Sequence, residues 1–444
     1  MNRTLIVRQL ALVALPILLS SLTGLLVPIV NAGVLARDAT TNLYVLGIFL
    51  PISFLQSSLY ESLRVAAIAF AARGSGSGNM YGLRQRLQAL LALGPIILAL
   101  LAAAFWIGRD AFLTVYQVPV EEQGITATFI AANLLLGGLV VVSINMMSAL
   151  YGLGRAYSVT FVTIAGFALN VGLTALLVAV TRLGLYALLV STFTSATLTI
   201  AWAGFQLARR GALGWPGLEW LDGLRQHFRE ISALSLPVLA GFLILFVQTS
   251  LFNRLLAQFS PADVASFGVA FRIQSMVLMP AIAMGIALAY HINRLAASAE
   301  HGEVHRFLST SICVSLSIFV AMAALVFLGR EALPRLVTQD ADIVDGASRY
   351  LSYMGPAYAV LGPLLTLLIF FEETGNGLRS LSFNAVSVAI QLTIAFALVA
   401  RFHSLDLVYQ VIAASYCIAL AYIGYELRRT RRLPVQQISR VSLR

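Results

Sequence analysis

The sequence predicts an all-α integral membrane protein. Twelve transmembrane helices are expected, in two six-helix lobes related by a pseudo-two-fold axis along the membrane normal. Three observations carry that expectation. Of 444 residues, 59% are hydrophobic and only 11% charged, against about 25% charged in soluble domains. With a mean hydropathy of +0.87, the polar groups are too few to cover a water-exposed surface, and disorder needs the opposite composition. Second, apolar runs of about 20 residues, the length that crosses a hydrocarbon core at helical rise, recur along the chain. Third, the sequence resembles itself at a constant shift of 221 residues.

Counting on that length gives spans at 10–36, 43–72, 87–107, 124–150, 157–180 and 184–208. A second set follows at 231–258, 263–292, 307–328, 347–371, 381–400 and 405–427. The narrowest breaks fall at 181–183 and 401–404. No segment alternates apolar and polar residues as a membrane barrel strand would, so the spans read as helices. The first run, Leu10 to Ala36, exceeds the ~7–15 apolar residues of a signal peptide and is expected to stay as a helix.

All 29 basic residues are Arg. With the N-terminus inside, 19 of them fall in cytoplasmic segments and six on the opposite side. Basic residues concentrate on the cytoplasmic side, so both termini are expected there, with the chain in the cell inner membrane. That distribution accounts for the net charge of +10 without a nucleic-acid partner, which would need Arg clustered on a hydrated surface.

The self-similarity is specific. Leu15-Pro16 meets Leu236-Pro237, Gly47 meets Gly268, and Arg73 meets Arg294. Gly108-Arg109-Asp110-Ala111 meets Gly329-Arg330-Glu331-Ala332, and Gly154 meets Gly375. A constant offset across several spans is a duplication, and six spans per copy make both copies enter the membrane in the same direction. The expected domains are an N-terminal lobe over 1–208, a cytoplasmic linker with an interfacial helix over 209–230, and a C-terminal lobe with a basic tail over 231–444. In the linker, Leu218, Leu221, Phe228 and Ile231 recur at helical spacing. Trp215 and Trp220 suit the headgroup level.

Little in the chain suits catalysis, so no enzyme is expected. His301 and His305, with Glu300 and Glu303, have metal-like spacing but read as a hydrated polar face. Gly74-Ser75-Gly76-Ser77-Gly78 lacks the Lys of a phosphate-cradling loop and reads as a flexible connection. Cys313 and Cys417 lie inside apolar runs and read as buried small apolar residues. No metal site is expected.

Charges inside a membrane are costly and mark function. Glu61 and Arg64 sit three residues apart on one face of the second span, where they can pair. Glu61 reads as the one deep carboxylate and so as the coupling candidate, although such a pair can equally lock helices together. Arg272 lies about 15 Å into the eighth span by helical rise, close to Gln274. Arg254 and Arg349, near span ends, can snorkel to the interface. Asn31, Gln56, Ser57, Ser58, Asn145, Gln248 and Asn253 can line a path or hold helices together. Pro16, Pro28, Pro51, Pro280, Pro356 and Pro363 each remove a helical hydrogen bond and permit bending.

The stretch Val264-Ala265-Ser266-Phe267-Gly268-Val269-Ala270-Phe271-Arg272-Ile273, continuing to Pro280 and Gly285, resembles the eighth span of the MATE (multidrug and toxic compound extrusion) family. Tyr151-Gly152-Leu153-Gly154-Arg155 is similar to its loop after the fourth span, Ala168-Leu169-Asn170 to its fifth, and Leu15-Pro16 to the opening of its first. The resemblance covers nearly the whole chain. It implies a proton- or sodium-coupled exporter with a V-shaped central cleft, within a wider superfamily that includes lipid flippases. The family's first-span Asp corresponds here to Asn31, and Asn170 matches that residue's polar partner. Acids of bacterial members in the seventh and tenth spans correspond to the neighbourhoods of Leu245 and Gly362. A neutral group carries no proton, so the family's usual coupling scheme does not transfer directly.

The expected function is secondary active efflux of a bulky amphipathic small molecule by alternating access. Glu61, Asn31 and Asn170 are the candidate coupling-ion residues, and Arg64, Arg272, Gln56, Gln248 and Asn253 the candidate substrate contacts. The only cofactor expected is the coupling ion, proton or sodium. The expected partners are a small-molecule or lipid-like substrate and membrane lipids, with the chain a monomer. The alternative is a flippase for a lipid-linked sugar or other anionic lipid precursor, whose phosphates suit the planar fork of Arg.

Overall fold

The computed structural model describes residues 3–36, 40–116, 118–181, 183–214, 219–256, 258–297, 303–338 and 340–432. Among them are fourteen helical segments and no strand. The first six are α1 (Arg3–Ala36), α2 (Thr40–Ser77), α3 (Met80–Val115), α4 (Val120–Gly152), α5 (Ala156–Val180) and α6 (Tyr186–Ala208). Then come α7 (Glu219–Leu256), α8 (Pro261–Ala297), α9 (Val304–Leu328), the single turn α10 (Ala332–Arg335) and α11 (Ala341–Glu373). The last three are α12 (Gly377–Phe402), α13 (Leu405–Ser415) and α14 (Cys417–Arg432).

Eleven stretches of the described residues are long and apolar enough to cross a membrane, α13 and α14 counting as one, Leu405–Glu426. The twelfth, α2, has the length at 38 residues, but Gln56, Ser57, Ser58, Glu61 and Arg64 interrupt its apolar run. Most helices outlast their apolar runs. The Gly-Ser stretch from Gly74, expected as a flexible connection, is instead the last turn of α2. Ser77 Oγ donates to the Arg73 carbonyl at 2.9 Å, and Gly74 leaves room for Leu83 of α3, which a Cβ would meet at 3.0 Å.

The duplication is visible in the helix bounds. Adding 221 to Val120–Gly152 of α4 gives Ala341–Glu373, the bounds of α11. The same shift takes Thr40 to Pro261 and Ala156 to Gly377, the first residues of α8 and α12. Both α4 and α11 end in one kind of turn. Gly154 and Gly375 adopt left-handed φ of 78° and 85°. Past them, the Arg155 N–H reaches the Leu150 carbonyl at 2.9 Å, and the Asn376 N–H the Phe371 carbonyl at 2.7 Å. A Cβ in that conformation costs about 1–2 kcal/mol. Gly154→Ala and Gly375→Ala are each expected to lower the thermal unfolding midpoint in detergent micelles; an unchanged midpoint in both would show the turn to be unstrained.

The chain divides into two compact units, Leu19–Leu236 and Met1–Leu18 with Pro237–Arg444. The divisions fall inside α1 and α7, beside Pro16 and Pro237, which the duplication equates. The helix expected in the 209–230 connection is the start of α7, which runs unbroken from Glu219; Trp215 and Leu218 lie outside the described residues. Glu230 is paired with Arg86 of α3 at 2.8 Å, and Ile231 and Leu234 are 1% exposed in the N-terminal unit's core.

In the N-terminal unit α4 is the central helix, with α2, α3 and α6 packed along it. Small residues make this possible. Gly138 lies against the Pro95 backbone of α3, and a Cβ on Gly152 would strike the Ile68 carbonyl and Ala71 of α2. In the C-terminal unit α11 takes the place of α4, with α8 and α9 against it. Large apolar side chains fill the outer surfaces, among them Ile107 at 85% and Leu328 at 79% exposed; lipid solvates these at no cost. Cys313, expected to be buried, is exposed and free on α9. Its apolar run reflects surrounding lipid rather than a core. The side chain of Cys417 falls outside the described residues, as do Glu300 and His301. No cluster of three metal-ligating side chains occurs among the described residues.

Candidate functional site

The polar residues of the N-terminal unit converge on α5. Asn31 of α1 donates through Nδ2 to Asn170 Oδ1 at 2.8 Å. Asn170 Nδ2 in turn donates to Thr192 Oγ1 at 3.2 Å and Ser195 Oγ at 3.4 Å on α6. One turn along α5, Thr174 Oγ1 lies 2.6 Å from Ser191 Oγ. Asn31 is 3% and Asn170 6% exposed, and every member of this network is neutral. Asn31 Oδ1 is buried and accepts no hydrogen bond among the described residues. A buried acceptor without a donor costs about 1–3 kcal/mol, a cost that a bound cation or water removes. Sequence reading names Asn31 and Asn170 but misses the four hydroxyls. Their signal is the i,i+4 spacing of 170 with 174 and 191 with 195, which puts each pair on one helix face.

On α2, Arg64 Nε and Glu61 Oε2 lie 2.5 Å apart. The Arg64 side chain is 15% exposed and that of Glu61 41%, so Glu61 is the more accessible member of the pair. Glu373 and Glu426, at 0% and 2% exposed, are more buried. They lie at or near the ends of α11 and α14, where Arg379 is 3.9 Å from Glu426. Counting apolar residues treats the end of a run as interface, whereas packing in the C-terminal unit closes over these last turns. Gln56 is buried in the α2–α4 seam, donating to the Asn133 carbonyl at 3.2 Å and bonded to the Tyr60 hydroxyl. Both occupy space that a side chain on Gly137 would fill. Asn145 of α4 is 0% exposed, and neither amide atom has a partner among the described residues.

The C-terminal unit repeats the amide arrangement at Gln391 of α12, the duplicate of Asn170. Gln248 of α7 donates to Gln391 Oε1 at 3.2 Å, and Gln391 Nε2 donates to Ser415 Oγ of α13 at 2.8 Å. Asn253, five residues beyond Gln248, is half-buried and outside this group. Arg272 is exposed on α8. Its neighbour Gln274 accepts hydrogen bonds from Tyr350 at 2.9 Å and Tyr358 at 3.3 Å. Arg349, its side chain 47% exposed, forks onto Asp406 with two hydrogen bonds of 2.6 Å. Leu245 is 43% exposed, and Gly362 lies directly beneath the Phe319 ring.

The MatE family model matches residues 237–397. None of the curated proteins matches the chain by sequence. Among solved structures, the Vibrio cholerae MATE transporter VcmN, as a mutant, has a TM-score of 0.89 at 18% identity, over 98% of this chain and 99% of that one. A MOP superfamily transporter from Pyrococcus furiosus matches at a TM-score of 0.82 and 16% identity, over 96% of each chain. An outward-facing multidrug resistance MATE family transporter gives the same values. The family model thus covers residues 237–397, within the C-terminal unit, and over nearly its full length the chain has the fold of these multi-pass membrane transporters.

Proposed function

We propose that this transporter is an inner-membrane exporter, with both termini cytoplasmic, that couples efflux of a bulky amphipathic molecule to an inward cation gradient by alternating access. The observation that carries the coupling is the Asn31 Oδ1 acceptor, buried without a donor in a neutral group of amide and hydroxyl oxygens. Such oxygens hold no proton, but they suit a hard monovalent cation, which replaces its hydration shell with neutral ligands. Sodium is therefore the favoured coupling ion at Asn31 and Asn170, and Glu61 is the group that can exchange a proton. Arg64, Arg272, Gln56, Gln248 and Asn253 are the proposed substrate contacts. Beyond the coupling ion no cofactor is invoked, and the chain works as a monomer among membrane lipids.

The test is export in inverted vesicles energised by a sodium or a proton gradient. A sodium gradient alone is expected to drive uptake, and Asn31→Leu to abolish it. If Glu61→Gln transports as well as the parent under a proton gradient, Glu61 is not a coupling group.

One observation favours the flippase reading. The candidate substrate contacts include two guanidinium groups, Arg64 and Arg272, and no carboxylate, and Glu61 is already paired with Arg64. That balance suits phosphate better than a cationic drug. The structure of the Pyrococcus furiosus relative is described as having a binding pocket of reversed polarity, suggesting a different function for that protein. Translocation of a fluorescent lipid pyrophosphate in proteoliposomes, lost in Arg64→Gln, would favour this reading over drug export.

A further inference from the structure

The twelfth span is interrupted near its middle. α13 stops at Ser415, the Tyr416 N–H turns back to the Ala413 carbonyl at 3.3 Å, and α14 begins at Cys417. Its duplicate α6 runs unbroken from Tyr186 to Ala208. Broken spans persist at membrane depth where they line a cavity or are buried in protein, and they point to binding sites in transporters. A cavity is present here, about 250 Å³, walled by Tyr353, Pro356, Ala357 and Val360 of α11 and by Ala413 and Tyr416. The break coincides with Pro356, which removes a helical hydrogen bond from the facing wall.

We propose that this cavity, with the Gln391 amide group behind Tyr416, is a ligand subsite of the C-terminal unit that takes an uncharged aromatic or alicyclic part of a substrate. The duplication supplies the contrast. Where the N-terminal unit has Thr192 and Ser195 bonding Asn170, the C-terminal unit has Ala413 and Tyr416, with Tyr416 bonded to Gln391. Two hydroxyls suited to an ion have become a methyl group and a ring suited to an apolar surface. No charged side chain lines the cavity, and Asp406, which bonds to the lining Tyr353, is neutralised by Arg349. The volume is below the ~300–1,000 Å³ of a site for a whole drug-sized ligand, so one ring system enters and the rest of the molecule lies outside. Tyrosine rings favour flat partners by stacking.

This assignment rests on the reading of the chain as an exporter of amphipathic molecules, but its test needs no gradient. In the full chain carrying Cys313→Ser and Cys417→Ser, Val360→Cys is labelled with N-ethylmaleimide in micelles, with 2-naphthol or tetraethylammonium as probe. 2-Naphthol at ten times its Kd is expected to slow labelling about tenfold by mass action, and tetraethylammonium to leave the rate unchanged. Ala413→Leu, which fills the cavity, is expected to abolish the protection. Equal labelling rates with and without 2-naphthol, or equal protection by tetraethylammonium, would overturn the proposal. If Val360→Cys does not fold, Ala357→Cys places the thiol on the same wall. A chain that binds 2-naphthol here yet exports nothing would sink the exporter reading and leave the subsite standing.

Discussion

Gly362→Asp is expected to leave no folded C-terminal unit, and Gly362→Ala to lower stability by about 1–3 kcal/mol. A Cβ at this position would overlap the ring of Phe319, and Phe319 is 0% exposed on α9, so the ring has nowhere to swing. Aspartate adds the cost of a carboxylate in a packed apolar seam, several kcal/mol when it has no partner. Size-exclusion profiles and thermal unfolding in micelles read both effects. The double variant Gly362→Ala with Phe319→Leu is expected to recover part of the loss. If Gly362→Asp purifies as a monodisperse protein with the parental midpoint, the α9–α11 seam has room and the argument fails. A side chain at position 362 therefore has no room, because the Phe319 ring of α9 occupies the space. Leu245, at 43% exposed, meets no such obstacle.

Asn170→Leu is expected to cost on the order of 2–4 kcal/mol and to abolish coupled transport. The amide bridges three helices, and its loss takes the acceptor from Asn31 Nδ2 and the amide donor from Thr192 and Ser195. Asn31→Asp makes the informative contrast. As a neutral acid it can still donate to Asn170 Oδ1; as a carboxylate it has no proton to donate and faces that oxygen's lone pairs. Stability of Asn31→Asp is therefore expected to be near parental at low pH and to fall as pH rises through the titration of the new carboxyl. The parental cluster, being neutral throughout, is expected to contribute no such slope. Unfolding midpoints measured across the pH range decide it, and parallel profiles for parent and variant would remove the Asn31–Asn170 contact from the account.

Much of the architecture is legible in residue order because it depends on local quantities. A run long enough to span lipid must be helical, since lipid offers no partner for a free peptide group. The 221-residue shift reappears in the helix bounds because turn signals such as Gly154 and Gly375 are themselves local. The pairing of Glu61 with Arg64 was readable too, because three residues along a helix is a fixed geometry.

What could not be read is which face of each span meets protein and which meets lipid. In water an apolar side chain signals interior; in a bilayer both surroundings are apolar, and hydropathy no longer separates them. Cys313 therefore faces outward against expectation, and Glu373 and Glu426 are sealed where the apolar count placed an interface. The join of Gln248 to Gln391 and Ser415, the stacking of Phe319 over Gly362, and the cavity at Tyr416 depend on contacts between spans distant in sequence. Those contacts follow from packing small residues closely, a three-dimensional constraint that no one-dimensional period carries. Composition, run length and repeat thus sufficed for a duplicated helical membrane protein, while the network around Asn170 needed three helices brought side by side.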